Sequence, residues 1–416
     1  VSRLGASFGF LWSSAALSNL ADGVLKVGAP LLAVTLTRSP VQVALVGAAA
    51  TVPWLLLALH AGALADRLDR RRIMVLANTA RAAVLAVTAL LGLLGLLNLW
   101  LLLAAVLLAG VAEVFADLAA QSVLPMTVPA ARLTAANGRV QSAQMIGNDF
   151  VGAPLAGVLV TLAPVALFYG PAALYGVAGL LLLGMRGTFR PAPTGEPRRP
   201  IRQDIAEAMR YLWSQHFLRT LAVSAGLLNF ANAAYFAVLV LWTVGPGSAM
   251  ELTPSAYGLM LTVFAAGAVA GSMFSERAAG LVGEGRLLVG CWLTSALLLT
   301  VPVLAPTPWT LYPTALLWGV TGGAANVLVI STRQRLIPAE LLGRVNAAYR
   351  LIGMGGMPAG AALGGVVAEF AGLPAVFLGA AAVCVGAVMP VWRALSRRIS
   401  SPLTSEGTLS DISRSR

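Results

Sequence analysis

A chain of 416 residues that is 58% hydrophobic and only 11% charged cannot use water as its solvent, because soluble domains carry about 25% charged residues. Its mean hydropathy of +0.83 comes from repeated apolar runs, each long enough to cross the roughly 30 Å hydrocarbon layer of a bilayer as a helix. A net charge of +12 would point to a nucleic-acid partner in a soluble protein, but here the charges sit in short links between apolar runs, where they set topology.

In chain order, the runs predict helices over 8–36, 41–64, 73–97, 100–121, 136–161 and 165–185. The first is expected to be retained rather than cleaved as a signal peptide, being too long and carrying Asn19, Asp22 and Lys26. After a polar, Arg- and Pro-rich stretch, six more follow over 220–244, 255–276, 287–304, 309–331, 345–369 and 374–394. The expected organisation is an N-terminal six-helix bundle (1–185), a cytoplasmic link (186–219), a C-terminal six-helix bundle (220–394) and a disordered cytoplasmic tail (395–416). In the link, Ile201, Ile205, Ala208, Met209 and Leu212 fall at helical spacing with Arg202 and Arg210 between them. That pattern predicts an amphipathic helix on the membrane surface, or else a plain tether.

Arginine sets the expected orientation. Arg67, Arg70, Arg71 and Arg72 follow helix 2, Arg132 follows helix 4, and the link adds Arg186 through Arg219, whereas the opposite side holds Arg38 alone. Positive charge stays in the cytoplasm, so both termini are expected there. Nearly all of the positive charge is Arg, in a chain rich in Ala, Gly, Leu and Val, which suggests a GC-rich bacterial genome and a bacterial cytoplasmic membrane.

An internal repeat supports two related halves. Gln121-Ser-Val-Leu-Pro125 recurs as Gln334-Arg-Leu-Ile-Pro338, Gly152-Ala-Pro-Leu-Ala-Gly157 as Gly360-Ala-Ala-Leu-Gly-Gly365, and Gly62 with Asp66-Arg67 as Gly271 with Glu276-Arg277. Parallel repeats of six spans put a substrate path at their interface, near the bilayer midplane.

Charges inside a membrane are costly and require a reason. Asp22 and Lys26 lie one turn apart in helix 1, Arg81 is in helix 3, Glu113 and Asp117 are in helix 4, and Asp149 is in helix 5, so all six fall in the first half. Asp22, Glu113 and Asp149 stand near mid-membrane, where the charge state of a carboxylate depends on its surroundings and can follow which side is open. Two readings stand: a proton-handling set of Asp22, Glu113 and Asp149 tuned by Lys26 and Arg81, or permanent pairs of Asp22 with Lys26 and Glu113 with Arg81. Trp12, Asn19, Phe150, Asn229, Asn232, Tyr235, Phe236, Asn326 and Tyr349 could line an amphipathic pocket, or serve in packing.

Between helices 2 and 3 stands Gly62-Ala-Leu-Ala-Asp66-Arg67-Leu-Asp-Arg70-Arg71-Arg72, which resembles the signature loop of the major facilitator superfamily. Gly62 is expected to allow close helix approach, and Asp66 to sit against a helix N-terminus. Arg70 is expected to seek a carboxylate at the end of helix 4, where Asp117 stands. Asp69 replaces the second glycine of the common pattern. In helix 5, Gly147 and Gly152-Ala-Pro154-Leu-Ala-Gly157 resemble the family's antiporter motif, and small residues at these spacings equally suit generic close packing. Helix 4 lacks the arginine that many proton antiporters of the family carry. Together with Ser18-Asn19-Leu-Ala-Asp22-Gly23 and Ala136-Asn137-Gly138-Arg139, these stretches resemble the enterobactin exporter and macrolide efflux branch of that superfamily.

The resemblance implies an all-α major facilitator fold of two pseudo-symmetric six-helix bundles acting by alternating access. The expected function is proton-coupled export of an antibiotic, drug or siderophore by a monomer, with protons, a small molecule and the lipid bilayer as partners and no nucleic acid. A uniporter or importer is the alternative, and a channel or membrane-embedded enzyme a remote one. Cys291 and Cys384 lie in apolar runs, and neither they nor His60 and His216 have metal-ligand spacing, so no metal, cofactor or catalytic residue is expected.

Overall fold

The structure, a computed structural model, describes residues 5–65, 67–190, 201–338 and 341–400. Among these are twelve helices long and apolar enough to cross a membrane. The first six are α1 (Ala6–Leu36), α2 (Pro40–Ala65), α3 (Arg70–Leu93), α4 (Leu99–Thr127), α5 (Leu133–Met145, Ile146–Gly152 and Ala153–Leu162 in succession) and α6 (Ala166–Leu183). The second six are α7 (His216–Thr243), α8 (Pro254–Val282), α9 (Glu284–Leu298, then Val301–Leu304), α10 (Pro308–Leu336), α11 (Leu342–Gly355, then Met357–Ala371) and α12 (Leu373–Ser400).

The two bundles use the same internal pairing. In the first, α1 packs against α5 and α6, and α4 against α2 and α3; in the second, α7 packs against α11 and α12, and α10 against α8 and α9. This pseudo-symmetry is what the internal repeat predicts. Lipid tails give no hydrophobic drive for helix association, so close packing of small residues matters more than in water. The α8–α10 seam shows this: a Cβ on Gly267 or Gly271 would lie 2.2 or 1.9 Å from the Leu316 or Val320 carbonyl oxygen. One on Gly319 or Gly323 would lie 2.0 or 2.1 Å from that of Phe264 or Ala268.

The bundles meet at the end of the molecule that is poor in Arg. There Gly157 abuts the backbone of Pro254 and Ser255, and Gly365 abuts Pro40 and Ala44. The Arg38 guanidinium donates to the Val244 carbonyl at 3.3 Å, and the Ser39 hydroxyl to Glu369 at 3.0 Å. Toward the Arg-rich end, Gly62 and Gly138 face open space. The close helix approach expected at Gly62 is therefore absent, because this end of α2 has no helix packed on that face, whereas its repeat partner Gly271 lies within the α8–α10 seam.

Ahead of α7, Ile201–Ser214 forms the helix expected in the link. Ala208 and Leu212 of its apolar face meet protein rather than lipid, being fully buried in the core of the second bundle, and Glu207 pairs with Arg344 at 3.2 Å. The rest of the link from 191 to 200 and the tail from 401 lie outside the described residues. α12 continues through Ser400, past the predicted end at 394.

Candidate functional site

Asp22, Arg81, Glu113 and Tyr175 each stand within a residue of the midpoint of their helices, α1, α3, α4 and α6, and so meet at one depth. Arg81 is 1% exposed, and a buried guanidinium requires anionic and hydrogen-bond partners. Its Nη2 lies 2.9 Å from Asp22 Oδ1 and 3.4 Å from Glu113 Oε2, and its Nε points to the Ala109 carbonyl at 3.4 Å. The guanidinium also sits 4.5 Å over the ring of Tyr175, whose hydroxyl donates to Asp22 Oδ1 at 2.6 Å. Arg81 Nη1 has no partner.

The two carboxylates differ. Asp22 is held by two donors and is 13% exposed, whereas Glu113 shares a donor already engaged and is 33% exposed. Asp117 lies on the same helix as Glu113, and its charge acts on this pocket. Asp22 thus bonds Arg81 and Tyr175 rather than Lys26, which corrects the pairing that their sequence spacing suggests. The Lys26 side chain is exposed, and its charge acts on Asp149 and Glu113. Tyr175 was not singled out from the sequence, since nothing marks it within an apolar run.

Asp149 belongs to a π-helical segment, Ile146–Gly152, that interrupts α5. Pro154 has no N–H to give the Phe150 carbonyl, and a widened turn just ahead of it accommodates that loss. Here α5 presses on α1: a Cβ on Gly147 would lie 2.9 Å from the Leu20 nitrogen, and one on Gly152 2.8 Å from Gly23 Cα. Gly157, on the same helix, faces α8 instead. The glycines of this motif therefore serve two contacts, one within the first bundle and one between bundles. Thr262 of α8 adds a hydrogen bond to the Asp149 carbonyl at 3.1 Å.

In the loop after α2, Asp66 lies outside the described residues, and Arg67 is exposed in a turn. Asp69 is the N-cap of α3, its side chain accepting from Arg72 N at 3.1 Å, which explains an acid where the common pattern has glycine. The bonds of Arg70 to α4 run to the Ser122 carbonyl at 3.0 Å and the Met126 sulfur at 3.2 Å. They pass Asp117, which stands five residues nearer the midplane, so the expected Arg70–Asp117 meeting shifts to the backbone.

Of the expected pocket residues, Trp12 and Asn326 are exposed, and Asn19, Phe150, Asn229, Asn232 and Phe236 are half-buried. Asn19 bonds its own helix at Ala15, and Asn229 the Gly353 carbonyl at 2.9 Å. Tyr235 and Tyr349 do not line a pocket: Tyr235 is packed among Phe236, Trp318 and Phe377, and Tyr349 is buried beneath Arg333. Large aromatics near a bundle axis serve its packing when their rings find other rings.

The sequence profile of the transmembrane secretion effector family matches residues 5–406. The enterobactin exporter EntS of Citrobacter koseri is 27% identical over 358 residues, 83% of this chain and 82% of its own. The multidrug efflux pump Tap of Mycobacterium tuberculosis is 26% identical over 386 residues, 90% of each chain. In fold, the chain is similar to the nucleoside transporter NupG, with a TM-score of 0.72 at 13% identity over 94% of this chain and 99% of that one. A bacterial homologue of ferroportin solved in an inward-facing state gives 0.67 at 16% identity, covering 93% and 98%. With helix number, bundle pairing and family profile in agreement, the chain belongs to the transmembrane secretion effectors of the major facilitator superfamily, a family of membrane transporters and not of enzymes.

Proposed function

We propose that the protein exports an amphipathic small molecule, an antibiotic, drug or siderophore, in exchange for protons, by rocking its two bundles about a midplane site. The observation that carries this reading is the sharing of one buried arginine by two midplane carboxylates. Arg81 is committed to Asp22 at 2.9 Å, leaving Glu113 at 3.4 Å, the more exposed of the pair, as the group free to exchange its proton. Glu113 is therefore assigned the proton-carrying role and Asp22 a positioning role, with Asp149 and Lys26 completing the charged wall. Outward direction is supported by the exporter and efflux-pump relatives.

The Arg-rich end is read as cytoplasmic, which puts both termini there and makes the present arrangement open to the cytoplasm. The loop from Gly62 through Asp66, Arg67 and Arg70, with Asp117, is assigned to the cytoplasmic gate. Gly147, Gly152, Pro154 and Gly157 are assigned to the coupling of α1 with the bundle interface. Residues 1–185 and 220–394 are taken as the two moving bodies of a monomer, joined by 186–219.

The test is proton flux in proteoliposomes on adding macrolides, other lipophilic drugs and siderophores. Glu113→Gln is expected to abolish substrate-evoked proton movement while retaining substrate binding, Asp22→Asn to weaken both, and Asp149→Asn to reduce flux in part. Flux that is independent of the proton gradient and unchanged in Glu113→Gln would replace this reading with a uniporter.

A further inference from the structure

The first bundle gathers acids at its inner wall, and the second does the opposite. Near the Arg-rich end of the second bundle, Arg335 pairs with Glu284 and Arg344 with Glu207. Arg333 and Arg350, between them, have no carboxylate within ion-pair distance among the described residues. Arg333 extends from α10 over the ring of Tyr349 on α11, 4.1 Å from its centroid, and its Nε is buried without a partner. Arg350 follows Tyr349 directly in the chain, is exposed, and its charge acts on Arg333.

The direction in which these side chains emerge follows from helix geometry. On α11 the lipid-facing side is marked by Leu363, Val366 and Phe370, which are 49%, 40% and 85% exposed. At 3.6 residues per turn, Arg350 lies roughly 160–220° around the helix from all three, on the side away from lipid. It stands eight residues beyond Leu342, about 12 Å into the helix, deeper than a headgroup layer normally reaches. On α10, exposed Asn326 is two turns from Arg333 and on the same face, and roughly 180° from Leu317, which is 51% exposed. Both arginines thus face the space between the bundles, nearer the Arg-rich end than Glu113.

Arg350, an unpaired cation within the span, requires an anion from elsewhere, and Arg333, in the last turn of α10, stands beside it. Guanidinium groups are suited to planar anions because their N–H groups form a rigid fork that matches two oxygens. We propose that Arg333 and Arg350, with Asn326 beside them, form a subsite for an anionic oxygen group, a carboxylate, phenolate or phosphate, on the transported molecule. The inference rests on the transporter reading and narrows its substrate class to amphipathic organic anions or zwitterions. The Tyr349 ring, 4.1 Å from the Arg333 guanidinium carbon, favours its charge and fixes its position beside Arg350.

Two xanthene dyes of similar shape and opposite charge, fluorescein and rhodamine 6G, test this by fluorescence anisotropy on the detergent-solubilised full chain. The wild type is expected to favour fluorescein, and Arg350→Gln and Arg333→Gln to lower the ratio of the two affinities by about tenfold each, the scale of one charge-assisted hydrogen bond. Arg350→Lys should restore part of the ratio, which a misfolded variant could not do. Wild-type binding that ignores dye charge, absence of fluorescein binding, or equal loss of both dyes would overturn the subsite.

An anionic lipid headgroup offers the same oxygen chemistry. Repeating the measurement in nanodiscs of phosphatidylcholine with and without phosphatidylglycerol separates the sources. A fluorescein preference in both lipids supports the cargo site, whereas one that vanishes with phosphatidylglycerol assigns the pair to lipid and overturns it. Charge-selective binding without proton-linked flux would remove the exporter reading alone and leave the subsite standing.

Discussion

Arg81 joins three helices of the first bundle through Asp22, Glu113 and Tyr175, and the cost of removing each partner should differ. Tyr175→Phe deletes one donor to the charged Asp22 and leaves the ion pair, so a loss of about 1.5–3 kcal/mol is expected in thermal unfolding of the solubilised protein. Arg81→Gln leaves buried carboxylates without their cation, and about 3–5 kcal/mol is expected, enough to prevent recovery of monodisperse protein. Adding Asp22→Asn to Arg81→Gln should recover part of that loss, and an additive result would show that the two do not act as a pair. The sequence marked which residues are charged within the spans, because a charge in an apolar run is conspicuous. It did not mark the partners. Asp22 and Lys26 are neighbours on one helix, but the long Lys side chain can extend into water, while the buried Arg81 has no such outlet and takes the acid. Tyr175 is not legible as a partner because it is hidden among apolar residues.

Among the elements, glycines of similar sequence context do different work. A methyl group at Gly271 would lie 1.9 Å from a backbone oxygen, whereas one at Gly62 would meet nothing within 4 Å. Gly271→Ala is therefore expected to separate α8 from α10 and lower the thermal midpoint by several degrees, and Gly62→Ala to change it little, in the same assay on solubilised protein. The span pattern was legible from apolar runs alone, since length and hydropathy decide a crossing. The π segment of α5 was not, although Pro154 was visible, because the widened turn depends on where α1 presses against it. The link helix was legible as amphipathic, but its spacing is the same whether the apolar face meets lipid or protein. Only the position of Ala208 and Leu212 against the second bundle decides that.

At the scale of the whole molecule, the bundles are joined by backbone contacts at glycine and by a few hydrogen bonds at the Arg-poor end. Substituting Gly157 with Leu would insert a side chain where Pro254 and Ser255 already touch. Such a variant should tilt the equilibrium toward opening at that end, because a ligand-free rocking protein takes whichever arrangement the wedge permits. Maleimide labelling of Gln141→Cys, at an exposed site near the Arg-rich end, is expected to fall severalfold when Gly157→Leu is added. Unchanged labelling would mean that the closed end does not control the open one. The internal repeat made the two-bundle plan readable, but the end at which they touch was not, since both arrangements satisfy the same sequence.

The Arg-poor closure has a further consequence. Of its polar links, Ser39 to Glu369 is exposed to solvent and Arg38 to a carbonyl is half-buried, and such links contribute little where water competes for them. The seal therefore depends on how well two surfaces fit, as a ground-glass stopper does. It excludes solutes without a bolt, and thermal motion can lift it without a large bond first having to break.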